Sequence, residues 1–131
     1  EHPEMGSPGR ELGWPVASLL SGRKQQLDRM QDAVTQDYRK VYTQPTQPVA
    51  TAGLLQTNTG DRLQMQWDAT TMPYLGVWID EGAYTHRTTV ALEPASGYYD
   101  SLALAVKNQR VSSVPRGGGC QWWLTVSLST V

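Results

Sequence analysis

The sequence predicts an all-β protein, an antiparallel β-sandwich with one or two short helices. After residue 51, short stretches of alternating polar and apolar residues recur, and turn-forming residues separate them. Many short strands at such spacing are typical of antiparallel sandwiches. We interpret residues 1–131 as a single domain, with an irregular or edge segment at 1–50 and a β core at 51–131.

The first 50 residues are rich in Pro, Gly, Gln and charged residues and have weak periodicity. Within 23–40, apolar side chains recur at three- and four-residue steps, which permits a short amphipathic helix, with a surface loop as the alternative. The side chains in this pattern are Leu27, Met30, Val34 and Tyr38. No regular strand is expected over 43–48, because its two prolines lack a backbone donor.

The β core is predicted from its alternation and turn chemistry. Leu54 and Leu55 begin one strand, the sequence Asn-Thr-Gly-Asp at 58–61 is typical of a hairpin turn, and 62–67 alternates as the return strand. Further strands are expected at 74–80, 88–93, 111–114 and 121–131. A helix over 102–107 begins after Asp100 or Ser101, since either oxygen can accept from its first amides.

Charge and cysteine content exclude several classes of function. The 11 Lys and Arg balance 12 Asp and Glu, so nothing indicates nucleic acid or an anionic membrane as partner. The longest apolar runs are far shorter than a membrane span. Cys120 is the only cysteine, and its neighbours Gly119 and Gln121 do not activate a thiolate. Without a Cys–His cluster or a spaced His pair, we expect neither a metal nor a cofactor.

The strand at 74–80 places two aromatic rings on one face. Its odd-numbered side chains are aliphatic and face the core, whereas Tyr74, Gly76, Trp78 and Asp80 share the other face. Gly76 is expected to leave an indentation between the rings, and Glu93 ends the next strand. A flat ring beside a carboxylate suits a pyranose sugar. The alternative is that both faces are packed and Trp78 belongs to the core.

Two runs of sequence carry a family resemblance: Met-Pro-Tyr-Leu-Gly-Val-Trp-Ile-Asp-Glu-Gly at 72–82 and Val-Ala-Leu-Glu-Pro-Ala-Ser-Gly-Tyr-Tyr-Asp-Ser-Leu at 90–102. Together they resemble the signature of galactose-mutarotase-like (aldose 1-epimerase) proteins. Residues 123–126 are similar to the closing strand of that family, and the resemblance covers about 60–131. It implies that the chain is the C-terminal portion of a mutarotase-like supersandwich.

The resemblance also implies an activity, the interconversion of the anomers of an aldose. Glu93 matches the catalytic base of the family, and His2 corresponds to its general acid. We assign the sugar-binding side chains as Trp78, Tyr74, Asp80 and Tyr98. The other histidine, His86, is expected to be exposed in a loop. The alternative functions are a non-catalytic carbohydrate-binding domain and a structural β-sandwich domain of a larger protein.

Partners and location follow from the same resemblance. Active members of the family are longer than 131 residues, so the chain is expected to lack an N-terminal half. An uncovered sheet edge would then associate with that half or with a second copy in a homo-oligomer. The absence of a disulfide and of a recognisable signal peptide indicates a cytoplasmic protein.

Overall fold

The computed structural model describes residues 5, 10–30, 35–98 and 100–131. It is all-β and sandwich-like, with antiparallel sheets, which confirms the predicted fold class. The strands, in chain order, are β1 (Val16–Ser18), β2 (Lys24–Gln26), β3 (Asp37–Tyr42), β4 (Thr51–Gln56), β5 (Asp61–Trp67), β6 (Tyr74–Glu81), β7 (Thr88–Ala95) and β8 (Leu124–Thr130). Within the described ranges the only α-helix is α1 (Leu102–Lys107).

The strands form three sheets, ordered β1-β2, β3-β6-β7 and β4-β5-β8. The chain groups into two compact units. The first unit comprises residues 1–41 and 77–91, and the second unit comprises 42–76 and 92–131. The strands β3, β6 and β7 therefore each contribute residues to both units, whereas β4, β5 and β8 belong to the second unit alone.

Each unit has its own buried apolar residues. In the first unit these are Ala17, Leu19, Leu27 and Ile79. In the second unit they are Trp67, Met72, Leu75 and Ala105. The Trp67 side chain is 1% exposed, and its indole N–H donates to the carbonyl of Met72 at 2.9 Å. The indole thus satisfies its polar group while it fills the interior, as a buried Trp requires.

Two local predictions are confirmed almost to the residue. The turn after β4 contains Gly60 at a φ of 78°, and its amide donates to the carbonyl of Gln56 at 2.8 Å. Glycine suits this backbone region because it has no Cβ. The helix α1 has the predicted bounds, and Ser101 is its N-cap, accepting from the amide of Leu104 at 3.3 Å.

Three predictions about secondary structure are wrong. The amphipathic helix expected within 23–40 is replaced, in the described part, by strands β2 and β3. Residues 111–114 form no strand, and only Val111 makes a single bridge, to Gly97. The last strand begins at Leu124 rather than at residue 121. No helix within the described ranges is long and apolar enough to cross a membrane.

Candidate functional site

Glu93 lies in β7 beside Gly76, in the second unit. A Cβ added to Gly76 would lie 3.4 Å from the Oε2 atom of Glu93 and 3.1 Å from the Cε1 atom of Tyr42. The absence of a side chain at Gly76 therefore lets the tyrosine ring and the carboxylate approach the strand from two sides. The prediction that Gly76 leaves an indentation is wrong, because Tyr42 and Glu93 occupy that space.

Three tyrosines form an aromatic cluster in the second unit, which we call the tyrosine cluster: Tyr42, Tyr74 and Tyr98. The ring of Tyr98 lies 5.7 Å from that of Tyr42 at an interplanar angle of 72°, and 5.4 Å from that of Tyr74 at 54°. These separations and tilts are typical of favourable aromatic pairs. The cluster brings the predicted residues Tyr74 and Tyr98 into contact, and it adds Tyr42.

Charged groups border the tyrosine cluster. The hydroxyl of Tyr42 donates to the Oδ1 atom of Asp100. The guanidinium of Arg110 lies 5.4 Å from the ring centre of Tyr98, within cation–π range. Since the amide of Tyr98 also donates to the carbonyl of Arg110 at 2.9 Å, backbone and side chain together fix the two residues. The cluster thus presents ring faces next to both signs of charge.

Helix α1 fixes the segment that carries Asp100 and Tyr98. Ala105 is its buried residue, and a Cβ at Gly97 would lie 3.9 Å from the Cβ of Ala105. Since Ser101 is the N-cap of the helix, Asp100 is available to accept from Tyr42. The sequence predicts Asp100 as one of two possible helix caps and assigns no role to Tyr42. Their pairing joins positions 58 residues apart, which no local pattern reveals.

Asp80, assigned to sugar binding, organises a loop of the first unit. Its Oδ1 accepts from the amides of Gly82, Ala83 and Tyr84 at 3.2, 2.8 and 3.2 Å. Its Oδ2 accepts from the amide and the hydroxyl of Thr85 at 3.0 and 3.1 Å. The structure therefore shows a carboxylate occupied by the loop that follows β6, and a sugar contact by Asp80 stays a prediction.

The loop sets the pKa of Asp80. Burial acts to raise the pKa, but the hydrogen bonds from Tyr84, Ala83 and Thr85 favour the charged form and lower the pKa below its usual value. The Asp80 residue is 1% exposed. A charged group in that position depends on the amides that surround it.

Trp78 belongs to a second aromatic cluster, in the first unit, which we call the tryptophan cluster: Tyr38, Trp78 and Tyr84. Its ring centres are 5.4 Å apart for Tyr38–Trp78, 5.1 Å for Tyr38–Tyr84 and 5.5 Å for Trp78–Tyr84. Trp78 is half-buried, and a hydrogen bond with Tyr38 together with burial raises the pKa of Tyr84. Trp78 is therefore packed by two rings on the same unit, and a sugar contact by Trp78 stays a prediction.

Of the two histidines, the structure describes His86 and not His2. His2 lies outside the described residues. His86 is exposed in the loop between β6 and β7, which confirms the prediction for it. His86 belongs to the first unit.

A buried ion pair lies in the first unit. The Nη2 atom of Arg39 lies 2.9 Å from the Oε1 atom of Glu81, and the two side chains are 1% and 2% exposed. The Oε2 atom of Glu81 accepts from the hydroxyl of Thr35 at 3.0 Å. Among the described residues, no acceptor reaches Nε and Nη1 of Arg39 within hydrogen-bond geometry. The pair links the side chains of β3 and β6.

A small cavity of about 150 Å³ lies in the second unit, and Glu93 does not line it. It is lined by Thr71, Met72, Ser96, Ser112, Val114, Cys120 and Trp122. Cys120 is exposed. The described residues contain no group of three or more side chains suited to a metal ion.

Comparison of the chain with family models, with curated proteins and with solved structures found no match. The evidence for a candidate site in the second unit is therefore its geometry alone. The carboxylate of Glu93 lies beside the tyrosine cluster.

Proposed function

We propose that the protein binds a monosaccharide at Glu93 and interconverts the anomers of an aldose there. The observation that carries this proposal is that the Glu93 carboxylate and the Tyr42 ring converge on Gly76, which places a carboxylate beside the tyrosine cluster. The tyrosine cluster continues from Tyr42 through Tyr98 to Tyr74.

This arrangement suits the two surfaces of a pyranose. The C–H face of the sugar is apolar and packs on an aromatic ring, whereas its hydroxyls need acceptors and donors. Glu93 and Asp100 supply acceptors, and the guanidinium of Arg110 supplies donors beside Tyr98. The resemblance of residues 72–82 and 90–102 to mutarotase-like proteins supports the same ligand class.

The proposed reaction needs a base and an acid. Glu93 removes the proton from the C1 hydroxyl while an acid protonates the ring oxygen, and the bond between C1 and the ring oxygen breaks. Rotation about the C1–C2 bond of the open aldehyde exposes its other face. Reclosure returns both protons and gives the other anomer. His2 is the proposed acid, on the resemblance alone.

A second candidate is a carbohydrate-binding domain without catalysis. It is favoured by the side chains that contact the ring of Tyr98, which are Tyr42, Tyr74 and Arg110. These groups bind hydroxyls and ring faces, and the second unit contains no histidine that would supply the acid.

Polarimetry tests the proposal with freshly dissolved α-D-glucose and α-D-galactose. The wild-type chain should accelerate mutarotation, and Glu93→Gln should reduce that acceleration by about 100-fold or more, the contribution of a general base. Glu11→Gln is the matched control, because Glu11 is an exposed glutamate of the first unit. Equal rates of mutarotation for wild type and Glu93→Gln would contradict the proposed isomerase activity.

Binding measurements separate the two candidates. Calorimetric titration with the same sugars should show saturable binding that Tyr98→Ala abolishes. Sugar binding without accelerated mutarotation would favour the carbohydrate-binding domain. If neither binding nor acceleration is observed, both candidate functions are contradicted and a structural β domain is favoured.

A further inference from the structure

Strand β8 lies at the edge of the sheet β4-β5-β8 and exposes apolar side chains. Leu124, Val126 and Leu128 are 38%, 50% and 78% exposed. They alternate with Thr125, Ser127 and Ser129 along the strand. In the register with β5, Leu128 lies opposite Leu63 and Val126 lies opposite Met65, so the apolar residues of both strands share one face.

The backbone of β8 has a pairing side that β5 does not use. The amide of Val131 donates to the carbonyl of Gly60, and the amide of Asp68 donates to the carbonyl of Trp123. Antiparallel hydrogen bonding alternates along a strand, so odd-numbered residues of β8 bond to β5. The N–H and C=O groups of Leu124, Val126 and Leu128 therefore point away from β5.

This edge lacks the features that prevent strands from pairing. Residues 117–131 contain no charged residue and no proline. Natural sheet edges are usually protected by lysine, by proline, by a bulge or by a covering element. Within the part of the chain that the structure describes, β8 pairs with β5 alone. A long uncharged strand in this position is a template for another strand.

The pattern of β8 is complementary to itself. An antiparallel pair of two β8 strands, related by a twofold axis at Val126, places Val126 opposite Val126 and Leu124 opposite Leu128. Each apolar side chain then meets an apolar side chain. Leu124, Val126 and Leu128, whose backbone N–H and C=O groups point away from β5, all occupy hydrogen-bonded positions in this pair. No like charges meet, because the strand has none. An unrelated partner would have to reproduce this alternation.

We propose that two copies of this chain pair β8 to β8, antiparallel, around a twofold axis at Val126. The contact joins two three-stranded sheets into a continuous sheet of six strands. Two strands of seven residues bury less than the roughly 800 Å² per partner of a standard interface. The dimer is therefore expected to dissociate on dilution. This inference does not depend on the proposed function.

Disulfide trapping tests both the contact and its register. Cys120 is first replaced by serine, which removes the only thiol. In this background Val126→Cys should form a covalent dimer on mild oxidation, because hydrogen-bonded partners have Cα atoms about 5.5 Å apart, within disulfide range. Leu128→Cys is the register control. Its own copy would lie four residues away, about 14 Å along the strand, which is too far to bridge.

A mixture of two different cysteine variants gives a positive control for the register. Leu124→Cys and Leu128→Cys chains together should form a covalent heterodimer, which neither forms alone. Equal cross-linking of Val126→Cys and Leu128→Cys alone would overturn the register. The absence of cross-linking in every sample would overturn the contact.

Sedimentation under reducing conditions supplies a readout that does not depend on cross-linking. The wild type should shift with concentration from 14.5 kDa towards twice that mass. Val126→Lys, which places two like charges opposite each other, should stay at the lower mass. Gln66→Lys adds the same charge at an exposed position of the central strand β5 and should dimerise like wild type. Identical behaviour of the two lysine variants would overturn the role of the edge.

Discussion

Tyr42 donates its hydroxyl hydrogen to a carboxylate oxygen of Asp100, which lies 58 residues further along the chain. The bond links the end of β3 to the residue before the N-cap of α1. It therefore joins a strand that borders Gly76 to the segment that carries Tyr98, and it fixes one side of the tyrosine cluster.

Tyr42→Phe should weaken this link while the aromatic ring stays in place. The expected loss is about 0.5–1.5 kcal/mol in the free energy of unfolding, the usual contribution of one hydrogen bond. Urea denaturation followed by tryptophan fluorescence measures it. Asp100→Asn in the same background should add little, because its partner is already gone. Fully additive losses would show that the two residues act independently.

Gly76→Ala should disturb the packing of Tyr42 and Glu93. The added methyl group would lie 3.1 Å from the Tyr42 ring and 3.4 Å from the Glu93 carboxylate, so one of them must shift. We expect a loss of about 1–3 kcal/mol in the free energy of unfolding, typical of overpacking. Gly119→Ala is the control, because nothing lies within 4 Å of the added group. Equal stability of the two variants would contradict the close packing at Gly76.

Acid should destabilise the protein partly through Asp80. Its pKa is below that of an unfolded aspartate, which is about 3.9, so the charged form favours folding. This contribution is complete above the unfolded pKa and is lost as the pH falls through the lower, folded pKa. Asp80→Asn should therefore reduce the unfolding temperature at pH 7 and flatten its fall below about pH 4. An unchanged acid profile in Asp80→Asn would contradict the role of the loop amides.

Glu81→Leu should leave the buried guanidinium of Arg39 without its closest counter-charge. Breaking one partner of a buried ion pair typically costs about 3–5 kcal/mol. The double variant Arg39→Met, Glu81→Leu should recover much of that loss, since neither charge of the pair remains. Chemical denaturation of the two single variants and the double variant forms a double-mutant cycle. A double variant as unstable as the sum of the single ones would show that the pair is not coupled.

Local patterns were sufficient for β5, for the turn before it and for helix α1. The alternation of Leu63, Met65 and Trp67 predicted β5, and a serine before an apolar run predicted the start of α1. The chemistry of these segments is contained in neighbouring residues. Glycine at position 60 gave the turn for the same reason.

Patterns within 23–40 were misleading because the decisive contacts there are distant. The helical spacing of Leu27 and Tyr38 is coincidental, since Tyr38 lies in a strand whose buried residue is Arg39. A buried arginine breaks the apolar alternation that identifies a strand. Its partner, Glu81, lies 42 residues away.

The site residues that the sequence predicts are divided between the two units. Tyr74, Tyr98 and Glu93 belong to one unit, whereas Trp78 and Asp80 belong to the other. The roles of Tyr42 and Arg110 were missed, because each depends on a tertiary contact with Tyr98 that no local pattern reveals. Tyr42 lies outside the runs 72–82 and 90–102, and its aromatic side chain was the one signal in the sequence that pointed to the cluster.

The register of β5 with β8 also has a consequence for the order of folding. The hydroxyl of Thr130 donates to the Oδ1 atom of Asp61 at 3.2 Å, across 69 residues of chain. The hairpin of β4 and β5, by contrast, closes through a short turn at Gly60. Closing a long loop is entropically slower than closing a hairpin. We therefore expect β4 and β5 to pair early and the sheet to be completed late, when β8 arrives.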